Sequence, residues 1–289
     1  MKNSATAAIT EEVLARVSQA PDKRIRQISE ALVRHAHAFC EEVEPTIEEW
    51  RAGIEFLTRV GAMCSQTRQE FILLSDTLGI SMLVDAINHG TGGETTETTV
   101  LGPFYVENPP IKPLGSFIAE GLEGAPMLVE GTVSNSAGAP IPGASVDVWH
   151  SDDEGYYDVQ GEGGLSHLTG RARFETDEDG RFWFRSIIPR YYPIPYDGPV
   201  GDMLMAQNRH PNRPAHVHFM IAAPGYETLV THLFLEGSPY LDSDVVFGVK
   251  EELTVRLDHQ PAGLTKQGNT VDQDLAALRY DFVLAVERH

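Results

Sequence analysis

Apolar positions recur at helical spacing along the first third of the chain. Ile25, Ile28, Leu32, Ala36 and Phe39 share one side of a helix, with Arg, Lys and Glu opposite. Pro45 closes that segment. Thr46-Ile-Glu-Glu49 then has the form of a capping box, in which each side chain satisfies an orphan backbone N–H of the next helix. Ile47, Trp50, Ile54 and Leu57 form a second stripe. A third helix is expected from Arg68 to about Ile87, stopped by the glycine-rich His89-Gly-Thr-Gly-Gly-Glu94.

From about Val100 the period changes from helical to strand-like. Met127–Val133, Ser145–Trp149, Arg171–Thr176, Phe182–Ile188, Ala215–Ala222, Leu229–Leu235 and Leu278–Val286 are short β-branched and aromatic runs bounded by turn residues. Asp177-Glu-Asp-Gly180 between two of them is a hairpin signal. Strands without intervening helices predict an antiparallel β-sandwich or barrel, not a doubly wound sheet, and a sandwich is expected. The expected fold is mainly β with α: a helical N-terminal domain over 1–100 and a β-sandwich domain over 101–289. No repeat or low-complexity segment interrupts it.

Composition narrows the classes of function. Forty-two acidic residues against twenty-two basic ones give a net charge of −20. That excludes nucleic acid as an expected partner, because phosphate binding needs a basic surface. Cys40 and Cys64 are the only cysteines, so no disulfide framework or thiolate cluster is available. No apolar run has the length of a membrane span, and the first residues lack the apolar stretch of a signal peptide. The expected location is the cytoplasm, and an integral membrane protein is not expected.

Arg213-Pro-Ala-His-Val-His218 is the strongest local chemical signal. Residues two apart on a strand face the same way, so His216 and His218 can aim at one metal. A pair of surface histidines, or one core histidine beside an exposed one, fits the motif as well. Two tyrosine pairs follow predicted strands, in Gly155-Tyr-Tyr-Asp158 and Pro189-Arg-Tyr-Tyr-Pro-Ile-Pro195, at strand ends where scaffolds present functional groups. Tyrosine there is most often a packing residue. A phenol, with a pKa near ~10, loses its proton to a strongly charged cation such as Fe(III). Two tyrosinates, two neutral imidazoles and one hydroxide would balance that ion. Such a hard, oxygen-rich set favours ferric over ferrous iron.

The chain resembles the intradiol dioxygenases, which open catechol rings between the two hydroxyl-bearing carbons. The resemblance rests on Leu101-Gly-Pro-Phe-Tyr105, Asp147-Val-Trp-His150, Gly155-Tyr-Tyr157, Arg185-Ser-Ile-Ile-Pro189 and Arg213-Pro-Ala-His-Val-His218, in the family's order. Leu74-Ser-Asp-Thr-Leu-Gly79 extends it into the helical part. The resemblance implies one Fe(III) per subunit, held by Tyr157, Tyr192, His216 and His218, with Tyr192 as the displaceable ligand and as a catalytic group. It implies that Arg213 stabilises negative charge developing on the substrate. It also implies a small aromatic diol and O2 as substrates, and a homodimer through the N-terminal helices with room for a phospholipid at the interface.

Three features resemble the hydroxyquinol 1,2-dioxygenases within that family. His232 stands where catechol enzymes usually carry glutamine. The Tyr192–Gly201 segment with its Pro-Ile-Pro, and Val246-Phe-Gly-Val-Lys250 together with Tyr157-Asp-Val-Gln160, follow the same branch. The implied product is maleylacetate, through 3-hydroxy-cis,cis-muconate. Asp76 is a candidate partner for the third hydroxyl of benzene-1,2,4-triol, and equally a candidate helix cap. Leu73, Val100, Leu101, Gly102, Pro103, Phe104, Ile194 and Pro195, with Arg213 and His232, complete the expected substrate pocket. A catechol or chlorocatechol 1,2-dioxygenase is the nearest alternative. A zinc or iron(II) enzyme using the histidines with Asp147, Asp152 or Asp153, and a non-catalytic β-sandwich binding module, are more distant ones.

Overall fold

The computed structural model describes residues 4–65, 68–89, 93–161 and 167–287. The chain divides into two compact units, Met1–Arg59 and Val60–His289.

The first unit is helical. Helices α1 (Ser4–Val17) and α2 (Lys23–Val43) pack on each other, and α3 (Ile47–Ala62) begins at the expected capping box. Thr46 N–H donates to Glu49 Oε2 at 2.8 Å, and Glu49 N–H donates to Thr46 Oγ1 at 3.2 Å. The apolar stripe of α2 is not core: Ile25, Ile28, Leu32 and Phe39 are each more than half exposed in the single chain. No helix among the described residues is long and apolar enough to cross a membrane.

The second unit opens with α4 (Glu70–Thr77) and α5 (Ile80–His89), where one helix from Arg68 to Ile87 was expected. The break falls at Leu78-Gly79, because Gly79 takes φ +73°, a conformation a helix does not continue through. Of the glycine-rich stop that follows, residues 90–92 lie outside the described residues.

Two sheets then face each other. One orders β10 (Asp258–Gln260), β13 (Leu275–Arg279), β1 (Pro126–Asn135) and β14 (Phe282–Leu284), with β4 (Arg181–Ile187) also on β1. The other orders β3 (Arg171–Glu175), β2 (Ser145–His150), β7 (His216–Ala222), β8 (Leu229–Leu235) and β9 (Thr254–Val255). Two short ribbons, β5 (Tyr192–Pro193) with β6 (Asn212–Arg213) and β11 (Gly263–Leu264) with β12 (Thr270–Val271), and helix α6 (Pro199–Ala206), accompany the sheets.

The sandwich is mixed rather than purely antiparallel: β1 pairs in parallel with β13 and β14, and β8 with β9. The expected last strand, Leu278–Val286, is two strands parted at Tyr280-Asp281, where the Asp281 carboxylate accepts Thr132 N–H at 2.9 Å. The Asp177–Gly180 turn is tight, with Gly180 N–H on Asp177 O at 3.0 Å, but it is not a hairpin. Its flanking strands belong to different sheets, β3 on β2 and β4 on β1, so the turn crosses the sandwich.

Strand alternation sorts the residues of the second sheet. Val146 and Val148 of β2, and Val217, Phe219 and Ile221 of β7, enter the core against Met127, Val129, Phe182 and Phe184 of the first sheet. Burial of each such side chain stabilises the fold by about 1.5–3 kcal/mol. The intervening residues of β2 and β7, Trp149, His216 and His218, therefore sit on the opposite face.

Candidate active site

Cross-strand register builds the site on that face. Trp149 of β2 pairs with His218 of β7, which pairs with His232 of β8, so three side chains form one row across three strands. The Trp149 indole stacks on the His218 ring at 4.5 Å between centroids and 15° between planes. His232 meets the other side of His218 edge-on at 4.1 Å. His216, two residues before His218, faces the same way. Its Nδ1 donates to the Pro214 carbonyl at 2.7 Å, which fixes the tautomer and leaves the Nε2 lone pair facing inward.

The two tyrosine loops close over this row. Tyr157 directly precedes the short 3-10 turn Asp158–Gln160, and Tyr192 lies on β5, in register with Arg213 of β6. Both are buried, whereas neighbouring Tyr156 is 60% exposed. The loops touch because Gly155, at φ +97°, has no side chain: a Cβ there would stand 2.9 Å from the Tyr191 carbonyl oxygen and from Tyr192 Cβ. Gly102 makes the other close approach. At φ +77° its missing Cβ would lie 3.0 Å from His218 Cε1.

Four donor atoms converge. The Tyr157 hydroxyl is 3.0 Å from His218 Nε2, 3.5 Å from His216 Nε2 and 3.5 Å from the Tyr192 hydroxyl, and the two Nε2 atoms are 3.1 Å apart. Burial pushes the Tyr157 phenol well above its usual range, with Tyr192 adding to the shift, and burial also raises Tyr192. Burial holds His216, His218 and His232 well below the usual imidazole value. The Arg213 charge adds to it at His216 and His232, and the neighbouring His232 at His218. The imidazoles are thus neutral with available lone pairs. His218 Nδ1 and His232 Nε2 are buried without a hydrogen-bond partner.

Such a set fits a cation. Two buried ring nitrogens 3.1 Å apart beside two buried phenols can share one positive centre, and a trivalent ion would reverse the burial penalty on the phenols. Among the described residues, His216, His218 and His232 form the group of His, Cys, Asp and Glu side chains close enough to hold a metal; no carboxylate joins them. Two of the aspartates of the zinc-type alternative are engaged elsewhere. Asp147 pairs with Arg173, Nη2 to Oδ2 at 2.7 Å, and Asp152 accepts the N–H groups of Glu154 and Tyr156 at 3.0 and 2.8 Å.

Arg213 and Asp76 supply the polar remainder. Arg213 is buried; Nη1 lies 3.3 Å from His216 Nε2 and Nη2 lies 3.5 Å from His232 Nδ1. Burial opposes its charge, but Asp244, Tyr192 and Tyr157 together outweigh that cost, with Nε and Nη2 on the two Asp244 carboxylate oxygens at 3.1 and 3.2 Å. Asp76 is not a helix N-cap. It stands in the last turn of α4, 3% exposed, with Oδ1 unpartnered. Burial raises its carboxyl above the ordinary range, against the pull of the Ser81 hydroxyl and the Arg213 charge.

A cavity of about 610 Å³ is lined by Leu73, Pro103, Phe104, Ile194 and Pro195 among others, with Tyr156, Tyr196 and Arg68 also on its wall. Leu73 and Asp76 are three apart on α4 and so share a face. Val100 and Leu101 lie beside Gly102 on the same connecting segment, Val100 half-buried and Leu101 39% exposed; neither lines that cavity.

Two groups escaped the sequence reading. Asp244 is one; its only signal is an acidic residue set against the apolar Val245-Val246. The other is the buried Arg171–Asp158 ion pair, whose Arg171 Nη1 also donates to the Phe104 carbonyl at 2.9 Å. It joins the turn after Tyr157 to the Gly102–Phe104 segment.

Comparison with known proteins matches this architecture. The family profile described as "Dioxygenase" matches residues 100–286, and "Catechol dioxygenase N terminus" matches residues 22–96. The chain belongs to the intradiol dioxygenase family. These are non-haem iron enzymes. This dioxygenase is similar to a hydroxyquinol 1,2-dioxygenase of Rhizobium sp. (strain MTP-10005), 47% identical over 95% of this chain and 94% of the relative. It is 53% identical to a 6-chlorohydroxyquinol 1,2-dioxygenase of Cupriavidus pinatubonensis, over 85% and 88% of the two chains. The solved hydroxyquinol 1,2-dioxygenase of Pseudomonas putida DLL-E4 superposes with a TM-score of 0.92 at 47% identity, covering 98% of this chain and 99% of that one.

Proposed function

We propose that this intradiol dioxygenase cleaves hydroxyquinol, benzene-1,2,4-triol, with O2 to 3-hydroxy-cis,cis-muconate, the enol form of maleylacetate. The carrying observation is the Asp76 carboxyl, buried with one oxygen unpartnered, one helical turn from Leu73, which lines the cavity that Asp76 itself does not. A flat ring held between Leu73, Phe104, Ile194 and Pro195 would otherwise leave that oxygen unsatisfied. A third ring hydroxyl satisfies it, and a catechol does not.

Tyr157, Tyr192, His216 and His218 are proposed to hold one Fe(III) per subunit. Bound ferric iron supplies the electronic route by which a closed-shell diol reacts with triplet oxygen. The protein's part is proton handling, orientation and charge. Tyr192, as a ligand of that ion, would be a phenolate, and its oxygen would take a proton from one ring hydroxyl as the diol replaces it. Arg213, fixed in direction by Asp244, stabilises negative charge on the ring oxygens, with His232 Nδ1 3.5 Å from its Nη2. Phe104, Ile194 and Pro195 exclude water from the ring. Both oxygen atoms of O2 end in the product, so the triol and one O2 combine with no atom left over. One ring carbon–carbon bond breaks, and each of its two carbons becomes a carboxyl group.

The exposed stripes of α2 and α3 support a homodimer formed through the helical part, with a phospholipid as a further candidate occupant of that apolar surface. On this reading residues 1–100 serve dimerisation and lend Leu73 and Asp76 of α4 to the pocket, 101–289 supply the rest of the catalytic site, and the enzyme works in the cytoplasm.

Oxygen uptake by iron-loaded protein with hydroxyquinol, catechol and 4-chlorocatechol, corrected for autoxidation, tests the substrate. Preference for hydroxyquinol, with one O2 consumed per ring and maleylacetate formed, is expected. Preference for catechol or its chlorinated form would overturn the Asp76 reading, and no uptake with any diol would overturn the activity.

A further inference from the structure

Arg209, three residues beyond the end of α6, has no part in the site described above. Its Nη1 donates to the Thr77 carbonyl at 2.8 Å and its Nη2 to the Val245 carbonyl at 3.0 Å. Its guanidinium carbon lies 5.2 Å from the centre of the Phe247 ring. Thr77 is the residue after Asp76, and Val245 is the residue after Asp244. One planar group therefore spans the main chain beside both carboxyls of the polar end of the site.

The surroundings make that span stiff. The Thr77 carbonyl belongs to the last turn of α4, where carbonyls lack partners within the helix and a guanidinium is a favourable cap. Just beyond it, a Cβ on Gly79 would meet the Phe247 ring at 3.4 Å, so the α4–α5 elbow already abuts the 244–248 loop. On the other side, the Asp244 carboxylate accepts Gly248 N–H at 3.0 Å and grips Arg213. Movement of α4 relative to the loop would change the distance from Asp76 to Arg213, the two groups that the proposed function places on either side of the triol.

We propose that Arg209 is a positioning residue that sets the spacing of Asp76 from the Arg213–Asp244 pair, and thereby the discrimination between diols with and without a third hydroxyl. This rests on the reading of Asp76 as the partner of that hydroxyl. An arginine is needed because its rigid fork serves two carbonyls at once, whereas a lysine is a single flexible point charge.

The test compares kcat/KM for hydroxyquinol and for catechol in the iron-loaded full chain, for wild type, Arg209→Lys, Arg209→Ala, Asp76→Asn and the Arg209→Lys/Asp76→Asn double variant. The hydroxyquinol-to-catechol ratio should fall about tenfold in Arg209→Lys, equivalent to ~1.4 kcal/mol. The loss should lie in KM for hydroxyquinol, with the iron–tyrosinate absorption band unchanged. A purely structural role would lower both substrates together and leave the ratio alone. In the Asp76→Asn background, Arg209→Lys should lower the ratio no further. Loss of the ratio in Asp76→Asn but not in Arg209→Lys would overturn the role of Arg209 and spare that of Asp76. A wild type indifferent to the third hydroxyl would sink the Asp76 reading, and the Arg209 role with it. Should Arg209→Ala fail to fold, the lysine variant carries the decision.

Discussion

Replacing Asp244 by alanine would strip the Arg213 guanidinium, 2% exposed at the side chain, of its two-point partner. The carboxylate also receives the Gly248 N–H at 3.0 Å, so that donor would be stranded in the same buried place. Breaking one side of a buried ion pair costs about 3–5 kcal/mol, most of it the penalty of the charge left behind. The range already includes much of what an unpaired amide adds, so about 4 kcal/mol is the expected loss. For a chain of this length each kcal/mol lowers Tm by about 2–4 °C, giving a drop of about 8–16 °C. Asp244→Asn keeps the shape and one acceptor oxygen and should lose roughly half as much. Scanning calorimetry of the iron-loaded protein at neutral pH reads both variants. A guanidinium free to swing no longer faces the ring oxygens, so kcat/KM for hydroxyquinol should fall about a hundredfold. If Asp244→Ala melts within 2 °C (about 1 kcal/mol) of wild type, Arg213 does not depend on this partner and the charge argument is wrong.

Other variants probe separate links in the argument. Tyr157→Phe and Tyr192→Phe should each abolish or displace the visible iron–tyrosinate band; an unchanged band in both would remove these residues from the metal set. Gly102→Ala forces a Cβ to 3.0 Å from His218 Cε1 at a positive φ, so stability should drop by about 1–3 kcal/mol and iron should be lost faster to a chelator. Unaltered melting and iron retention would show that the approach of Gly102 to His218 is not needed. Asp76 carries a carboxyl raised by burial, so its ionisation opposes folding as pH rises through its folded-state value. Asp76→Asn should therefore raise Tm at pH 7. It should bring little gain below the unfolded carboxyl value near ~3.9, where both states are protonated. A lower Tm at pH 7 would show the carboxylate to be a net stabiliser.

The parts of the site that were legible before the fold was known owe this to strand geometry. His216 and His218 are two apart in a run that also supplies Val217 and Phe219 to the core, and period-2 alternation alone then sends both imidazoles to one face. Boundaries failed where a single backbone conformation overrode the pattern. The apolar spacing from Arg68 to Ile87 is continuous, yet Gly79 at φ +73° turns the chain and makes two helices of it. Asp177–Gly180 has every residue of a hairpin turn. Whether the strands after such a turn pair with each other or with different sheets depends on contacts dozens of residues away, and here β4 finds β1 instead.

The same distinction explains why the couplings that hold the polar end of the pocket stayed hidden, although Asp76, Arg213 and His232 themselves were named. Arg213 was recognisable from its motif, but nothing local couples it to Asp244, 31 residues on, or couples Thr77 to Arg209, 132 residues on. A buried carboxylate looks in the sequence like any of the forty-two acidic residues that give this chain its charge. What marks Asp244 and Asp76 apart is desolvation, and desolvation is a property of the packed fold. The metal-facing row follows from the period of one strand. Selectivity for a third hydroxyl, if Arg209 sets it, depends on three segments meeting at one guanidinium. Substitutions that leave His216, His218 and both tyrosines untouched should therefore shift substrate preference more readily than they shift the iron site.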